Sequence, residues 1–258
     1  MKIISSAQNQ EIKMLLNLQK KSRERKKKKL FVVEGKKEIE RALLGNYSFK
    51  IIFIREGSNN IFIDSKQNIV EFIVINDKLF DKITIRSGSE KYIGIAISKS
   101  HELSALKLDK KSTILVAESI EKPGNIGALL RTSSGLGVSA FILSNPKTDI
   151  YHPNVIRSSL GGVFSIPIAI SNSNEIIDYF LNKKINIVSG VLAPNSVSMN
   201  KANYKKPCAI IVGSESKGLE KNWIQNSSKI VKINMNNNID SLNVSVAAAI
   251  LLKYCLDN

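Results

Sequence analysis

From Ser112 onward short apolar runs alternate with segments of helical periodicity, and this alternation constrains the fold more than any other feature of the chain. Residues 113–117, 140–143, 164–169, 185–191, 209–212 and 230–233 read as strands. Between and after them, residues 125–134, 154–160, 174–182, 219–226 and 241–256 read as helices. Such a chain forms an α/β domain with a mostly parallel sheet covered on both faces. Ligands are then expected beyond the carboxyl ends of the strands.

The first 100 residues are organised differently. Ile12, Leu15 and Leu16 are spaced for a short amphipathic helix, and residues 30–33 read as a buried strand. A second helix is predicted over 36–44, where Ile39, Ala42 and Leu43 recur at helical spacing and Gly45-Asn46 supplies a stop. Strands follow near 50–54 and 92–98. This describes a small α/β unit over residues 1–100, a linker over 101–111 that mixes charge with scattered leucines, and a larger domain over 112–258.

The formal charge of +16 and a pI near 9.7 favour a polyanionic partner, with nucleic acid first. Residues 1–50 carry 14 Lys or Arg against 5 Glu, over half of the excess. Within them Arg23, Arg25, Lys26, Lys27, Lys28 and Lys29 form a nearly uninterrupted basic run. A solvated helix end is the ordinary reading of such a run, but an RNA-facing arm accounts better for the clustering. No stretch approaches the roughly 18 apolar residues of a membrane span, and the N-terminus is not a secretory leader, so a cytoplasmic protein is expected. Cys208 and Cys255 are isolated and lack metal-ligand spacing, and His101 and His152 are the only histidines. Two reduced core thiols and no metal site are expected.

Several motifs can be set aside. Gly135-Leu136-Gly137-Val138-Ser139-Ala140 satisfies G-x-G-x-x-A but ends a helix and enters a strand, the reverse of a dinucleotide fingerprint. No Walker-type phosphate loop is present, Ser214 and Ser216 do not lie in G-x-S-x-G, and His152-Pro153 fits the start of a helix better than a catalytic triad. Three other segments carry chemistry. Pro123-Gly124-Asn125-Ile126-Gly127 opens a helix that presents Arg131. Gly213-Ser214-Glu215-Ser216-Lys217-Gly218 forms a tight loop after a strand, with main-chain N–H groups free to meet a ligand. Ser241-Leu242-Asn243 precedes an Ala-rich helix, with Ser241 as its expected N-cap. Each has an ordinary structural reading taken alone: an exposed arginine, a strand-to-helix turn and a capped core helix.

Together, in this order and at this spacing, the three segments resemble the signature motifs of the SpoU (TrmH-type) RNA ribose methyltransferases. The resemblance covers 112–258 and, more loosely, the whole chain; His152 to Gly162 looks like a further family block. Phe31-Val32-Val33-Glu34-Gly35 looks like the start of a substrate-binding domain similar to certain ribosomal RNA-binding proteins. The resemblance implies a SPOUT domain with a parallel sheet and a C-terminal trefoil knot, preceded by a small α/β ribosomal-protein-like domain. It implies transfer of a methyl group from S-adenosyl-L-methionine to a ribose 2′-hydroxyl of RNA. The separate first domain and the basic run favour ribosomal over transfer RNA.

By the same resemblance, the main chain around Gly213, Ile233 and Leu242, with Met235 nearby, grips the adenosine portion of the cofactor. Asn125, Arg131, Glu215, Ser241 and Asn243 form the catalytic polar site. Family proposals make the arginine a base, but a guanidinium with a pKa above about 12 is better suited to holding a phosphate or a developing alkoxide. Ser216 and Asn234 depart from the family's Gly and Pro. A homodimer through the C-terminal domain is expected, from the family and from the apolar surface of Val244, Ala247, Ala248, Leu251, Leu252 and Cys255. Open alternatives are the same reaction on transfer RNA, a non-catalytic RNA-binding or assembly protein, a base-methylating SPOUT enzyme and an unrelated nucleotide-dependent hydrolase.

Overall fold

The structure is a computed structural model that describes residues 2–85, 90–215, 217–236 and 241–258, apart from the side chains of Lys2, Ile63, Lys66 and Gln67. The chain divides into two compact units, Met1–Ser100 with Asp149–Ser165, and His101–Thr148 with Ile166–Asn258. In chain order the first unit opens with β1 (Lys2–Ile4), α1 (Gln10–Lys20), α2 (Ser22–Lys28), β2 (Leu30–Glu34) and α3 (Lys36–Leu44). It continues with β3 (Phe49–Arg55), β4 (Ile69–Ile75), α4 (Asp77–Ile83) and β5 (Tyr92–Ile97). The second unit begins with β6 (Thr113–Glu118), α5 (Pro123–Leu136) and β7 (Ala140–Ser144). The chain then contributes α6 (Pro153–Ser158) to the first unit. It completes the second with β8 (Ile168–Ser171), α7 (Ser173–Asn182), β9 (Asn186–Gly190), β10 (Val197–Ser198), β11 (Cys208–Val212), α8 (Lys221–Gln225), β12 (Lys229–Lys232) and α9 (Val244–Asp257).

The first unit is a mixed sheet ordered β1-β4-β3-β5-β2. β4 pairs in parallel with β1 and β3, whereas β5 runs antiparallel to β3 and β2. The amphipathic α1 buries Ile12, Leu15 and Leu18 against it, and Asn9 caps α1 by accepting from the Glu11 N–H at 2.8 Å. Leu16, expected on the inner face, is only partly buried. The basic run forms α2, closed by Lys29 in the left-handed region at φ 53°. The 149–165 segment is tied into this unit by stacking of Phe31 on Tyr151, ring centroids 4.0 Å apart, and by Arg25 Nε donating to Asp149 Oδ2 at 2.6 Å.

The second unit is a fully parallel sheet ordered β10-β12-β9-β11-β6-β7-β8, so β11 is inserted between β9 and β6, two strands that precede it in the chain. Central β6 is buried on both faces, as a parallel strand between helical layers must be. One face packs Ile114, Val116, Ile142 and Ile211 against Phe180 of α7 and Trp223 of α8. α9 packs on α5 and on the sheet and buries Val244, Ala248, Leu251, Leu252 and Cys255.

Three boundaries differ from the sequence reading. The strand expected over 164–169 is β8 at Ile168–Ser171, preceded by a single 3-10 turn at Gly162–Phe164, because Pro167 has no N–H to donate to a ladder. The helix expected from Leu219 begins at Lys221. The last helix is capped by Asn243, whose Oδ1 accepts from Ser245 N at 2.9 Å, and not by Ser241; Asn and Ser cap equally well, and only the side chain that reaches the second helical N–H decides. His152 caps α6 through Nδ1, which accepts from Asn154 N at 3.1 Å, and Pro153 opens the helix. Gly137 closes α5 at φ 71°, as expected for a helix end and not for a dinucleotide loop.

Candidate active site

The carboxyl ends of β9, β11 and β12 converge with the start of α9 around a cleft of about 260 Å³. Gly190 ends β9 and Val191 and Leu192 follow it, Val212 ends β11 and Gly213 to Glu215 follow it, and Val231 and Lys232 end β12 with Ile233 after them; Met235, Ser241 and Leu242 complete the rim. Its wall is apolar, with Val191, Leu192, Val231, Leu219 and Leu251 among the lining side chains. The loop after β11 doubles back on itself. Gly218 N donates to Ser214 O at 2.9 Å, and Lys217 N donates to Ser214 Oγ at 3.2 Å. Gly213 is required at the pinch, since a Cβ there would lie 2.2 Å from the Gly218 carbonyl oxygen, and Gly218 sits at φ 65°.

Ser214, Glu215 and Val244 also line a second hollow of about 130 Å³, together with Ile120, Lys122 and Asn125, so the two hollows share a wall. Glu215 is the centre of this wall. Its Oε1 accepts from Asn125 Nδ2 at 2.9 Å and from Asn243 Nδ2 at 3.0 Å, and its Oε2 accepts from Lys122 Nζ at 2.9 Å. Asn243 Nδ2 also lies 3.3 Å from Asn125 Oδ1. The Lys122 ammonium and the Asn125 amide hold the Glu215 carboxyl below the ordinary carboxylate range, and Glu215 raises Lys122 in return. A carboxylate held ionised in this way is a poor proton acceptor. It ties two amides and a cation together at the edge of the hollow.

Residues 112–253 match the family described as SpoU rRNA Methylase, and residues 9–94 match the MRM3-like substrate binding domain. The chain belongs to the SpoU rRNA methylase family. Over 254 residues it is 25% identical to the "23S rRNA (guanosine(2553)-2'-O)-methyltransferase RlmP" of Bacillus subtilis, covering 98% of this chain and 99% of that one. A solved RNA 2'-O ribose methyltransferase superposes with a TM-score of 0.82 at 32% identity, covering 99% of this chain and 98% of its own. An AdoMet-bound rRNA methyltransferase from Sinorhizobium meliloti superposes with a TM-score of 0.90 at 25% identity, covering 98% of this chain and 97% of its own.

In this SpoU chain Gly213, Ile233, Met235 and Leu242, the residues expected around the cofactor, all line the larger cleft. Glu215 and Ser241 line it too, while Asn125 and Asn243 meet at Glu215. Arg131 stands apart. It is exposed, lines neither hollow, and lies six residues beyond Asn125, about 9 Å along the α5 axis. Lys122 is the site residue that the sequence reading missed; its only signal was its place directly before the Pro123 that opens the motif helix.

Arg25 requires a correction. It is 3% exposed, its Nε pairs with Asp149, and its Nη1 donates to Leu18 O at 2.7 Å, so it leaves the set of phosphate contacts. Arg23, Lys26, Lys27, Lys28 and Lys29 are exposed. The apolar surface expected to join two copies is also corrected. Val244, Ala248, Leu251, Leu252 and Cys255 are buried within their own unit, and Ala247 lines the cleft. Cys208 and Cys255 are buried free thiols, and they are not isolated in space, with their sulfurs 3.3 Å apart. Ser216 lies outside the described residues, and Asn234 Nδ2 donates to Ser198 Oγ at 3.1 Å. Among the described residues no cluster of His, Cys, Asp or Glu is suited to a metal, and no helix is long and apolar enough to cross a membrane.

Proposed function

We infer that this chain methylates a ribose 2′-hydroxyl of ribosomal RNA with S-adenosyl-L-methionine, and that it does so in the cytoplasm. The observation that carries this reading is the shared wall: one loop lines an apolar cleft on one side and holds the Glu215, Asn125 and Asn243 cluster on the other. The cleft suits the cofactor, because an apolar hollow lined by Gly213, Ile233 and Leu242 offers apolar surface together with main-chain hydrogen-bonding groups. Bound there, the cofactor supplies an electrophilic methyl group. The balance of the reaction is one O–C bond formed, one S–C bond broken and one proton released from the hydroxyl.

The chain's residues serve this balance by placement. Asn125, Asn243 and Lys122 present polar hydrogens around Glu215, where a ribose can be oriented in line with the methyl group. Ser241, which lines the cleft, belongs to the same polar site. Arg131, exposed on α5, takes an RNA phosphate and stabilises the charge left on the 2′-oxygen. Purified protein with radiolabelled S-adenosylmethionine and ribosomal RNA should yield label at an alkali-resistant linkage, since a methylated 2′-oxygen cannot attack the adjacent phosphate. Label confined to bases, or to transfer RNA alone, overturns the assignment.

Two further features complete the reading: a C-terminal trefoil knot, and a homodimer. The exposed face of α5, with Gly124, Arg131 and Gly135, and Val246 of α9, which is 48% exposed, offer the remaining surface for a second copy. In that arrangement Arg131 serves a cleft of the other protomer. Mixing Arg131→Ala protein with Asn243→Ala protein then restores part of the activity; a fully active monomer by light scattering refutes the dimer.

A further inference from the structure

Three adjacent strands of the second sheet, β9, β11 and β6, begin at the same level. Cys208 is in register with both Thr113 and Asn186. Two and three residues before each of these aligned positions stands a lysine pair: Lys110-Lys111, Lys183-Lys184 and Lys205-Lys206. The pairs therefore form a row at the amino ends of three neighbouring parallel strands. It is about 10 Å across, and about 16 Å of strand separates it from the cleft at the carboxyl ends.

The row is held level by the chain itself. Cys208 N donates to Ser112 O at 3.0 Å, Asn186 N to Pro207 O at 2.9 Å, and Asn186 Nδ2 to Lys205 O at 2.7 Å. Five of the six lysines are exposed and Lys206 is half-buried. None of them takes part in an ion pair among the described residues. The acid beside them, Asp109, accepts from Lys111 N at 2.9 Å and from the Ser112 hydroxyl at 2.9 Å, and it offsets the charge of Lys111 alone. Lys183 and Lys184 could be accounted for as cations at the carboxyl end of α7, but no helix ends at Lys110-Lys111 or Lys205-Lys206. Like charges set side by side repel one another, and a polyanion that covers them relieves that repulsion.

We propose that this lysine row is a second RNA-docking surface, which grips phosphates of an RNA segment other than the one at the methylated ribose. The proposal rests on the reading of the chain as an RNA enzyme and adds to it where a large folded RNA wraps the catalytic unit. The strand-level alignment fixes the spacing of the lysines in advance, so little ordering is needed when the phosphates arrive.

The test compares wild-type protein with a variant in which all six lysines are changed to Gln, using purified 23S ribosomal RNA over a range of salt. The variant's slope of log affinity against log salt should be shallower by about 2, as for three phosphate contacts at about 0.7 to 0.9 each. Its affinity for S-adenosylmethionine should be unchanged. If the six-fold variant does not fold, Lys183→Gln with Lys205→Gln should lower the slope by about 1 to 2. A slope equal to wild type in a folded variant overturns the proposal, whatever the methylation result. Wild-type protein that binds the RNA with the steeper slope yet transfers no methyl group overturns the catalytic reading and leaves the docking surface standing. Wild-type protein that does not bind the RNA overturns both.

Discussion

Changing Arg25 to Ala separates a structural from an RNA-binding role for the most basic segment of the chain. The Arg25 and Asp149 side chains are 3% and 9% exposed, and their contact is 2.6 Å long. The guanidinium also donates to Leu18 O at 2.7 Å and to Gln19 O at 3.3 Å. Truncation leaves a nearly buried carboxylate and two main-chain acceptors without this partner, and breaking a buried pair from one side costs about 3–5 kcal/mol. At about 2–8 °C of melting temperature per kcal/mol for domains around this size, the first unit should unfold at least about 6 °C early. Lysine should not rescue it, because one ammonium cannot reproduce a planar fork that serves three acceptors in different directions. Asp149→Leu combined with Arg25→Met should cost less than the sum of the single changes, since neither charge is then buried alone. Calorimetric scans of the wild type, the Arg25 variants and the double variant measure this. An Arg25→Ala protein that melts with wild type but binds RNA with a shallower salt slope would refute the argument and return Arg25 to the phosphate contacts.

Gly213→Ala should lower S-adenosylmethionine affinity measured by calorimetric titration, because its Cβ would meet the Gly218 carbonyl at 2.2 Å and the loop must open at the cleft wall; unchanged affinity removes the pinch from the binding site. Neutralising Lys26, Lys27, Lys28 and Lys29 should leave the melting temperature unchanged and flatten the salt dependence of RNA binding by up to about 0.7 to 0.9 log units for each phosphate no longer held, as read from binding curves at several salt concentrations. Burial of Glu118 lifts its carboxyl above its ordinary value, so the folded state keeps a proton that the unfolded chain releases. The stability this confers is complete below the unfolded value of about 4.5 and is lost as pH rises through the higher folded value. Glu118→Gln should remove that decline in thermal melts taken from pH 4 to 8; an identical pH profile in the variant refutes it.

The catalytic unit was legible because a parallel sheet writes its strands as apolar runs and gathers the loops that follow them at one edge. Gly213, Ile233 and Leu242 follow or face strand ends, so a correct strand order in the chain places them together even before the sheet order is known. The first unit was less legible. β4 carries Val70, 81% exposed, and Glu71 within an otherwise apolar stretch, and its pairing with β1 and β3 depends on segments far apart in the chain. Arg25 could not be told from its basic neighbours, because what distinguishes it is Asp149, more than a hundred residues away. The apolar face of α9 was visible as a pattern, but a pattern does not name what covers it, and its own sheet and α5 do.

The loop from Gly213 to Gly218 joins these observations. Pinched by the Ser214–Gly218 pairing, it contributes Gly213, Ser214, Glu215 and Gly218 to the cleft, while the Glu215 carboxylate is held by Lys122, Asn125 and Asn243 at the second hollow. Asn243 is also the cap of α9, and Leu242 beside it lines the cleft. The same two segments therefore shape both hollows.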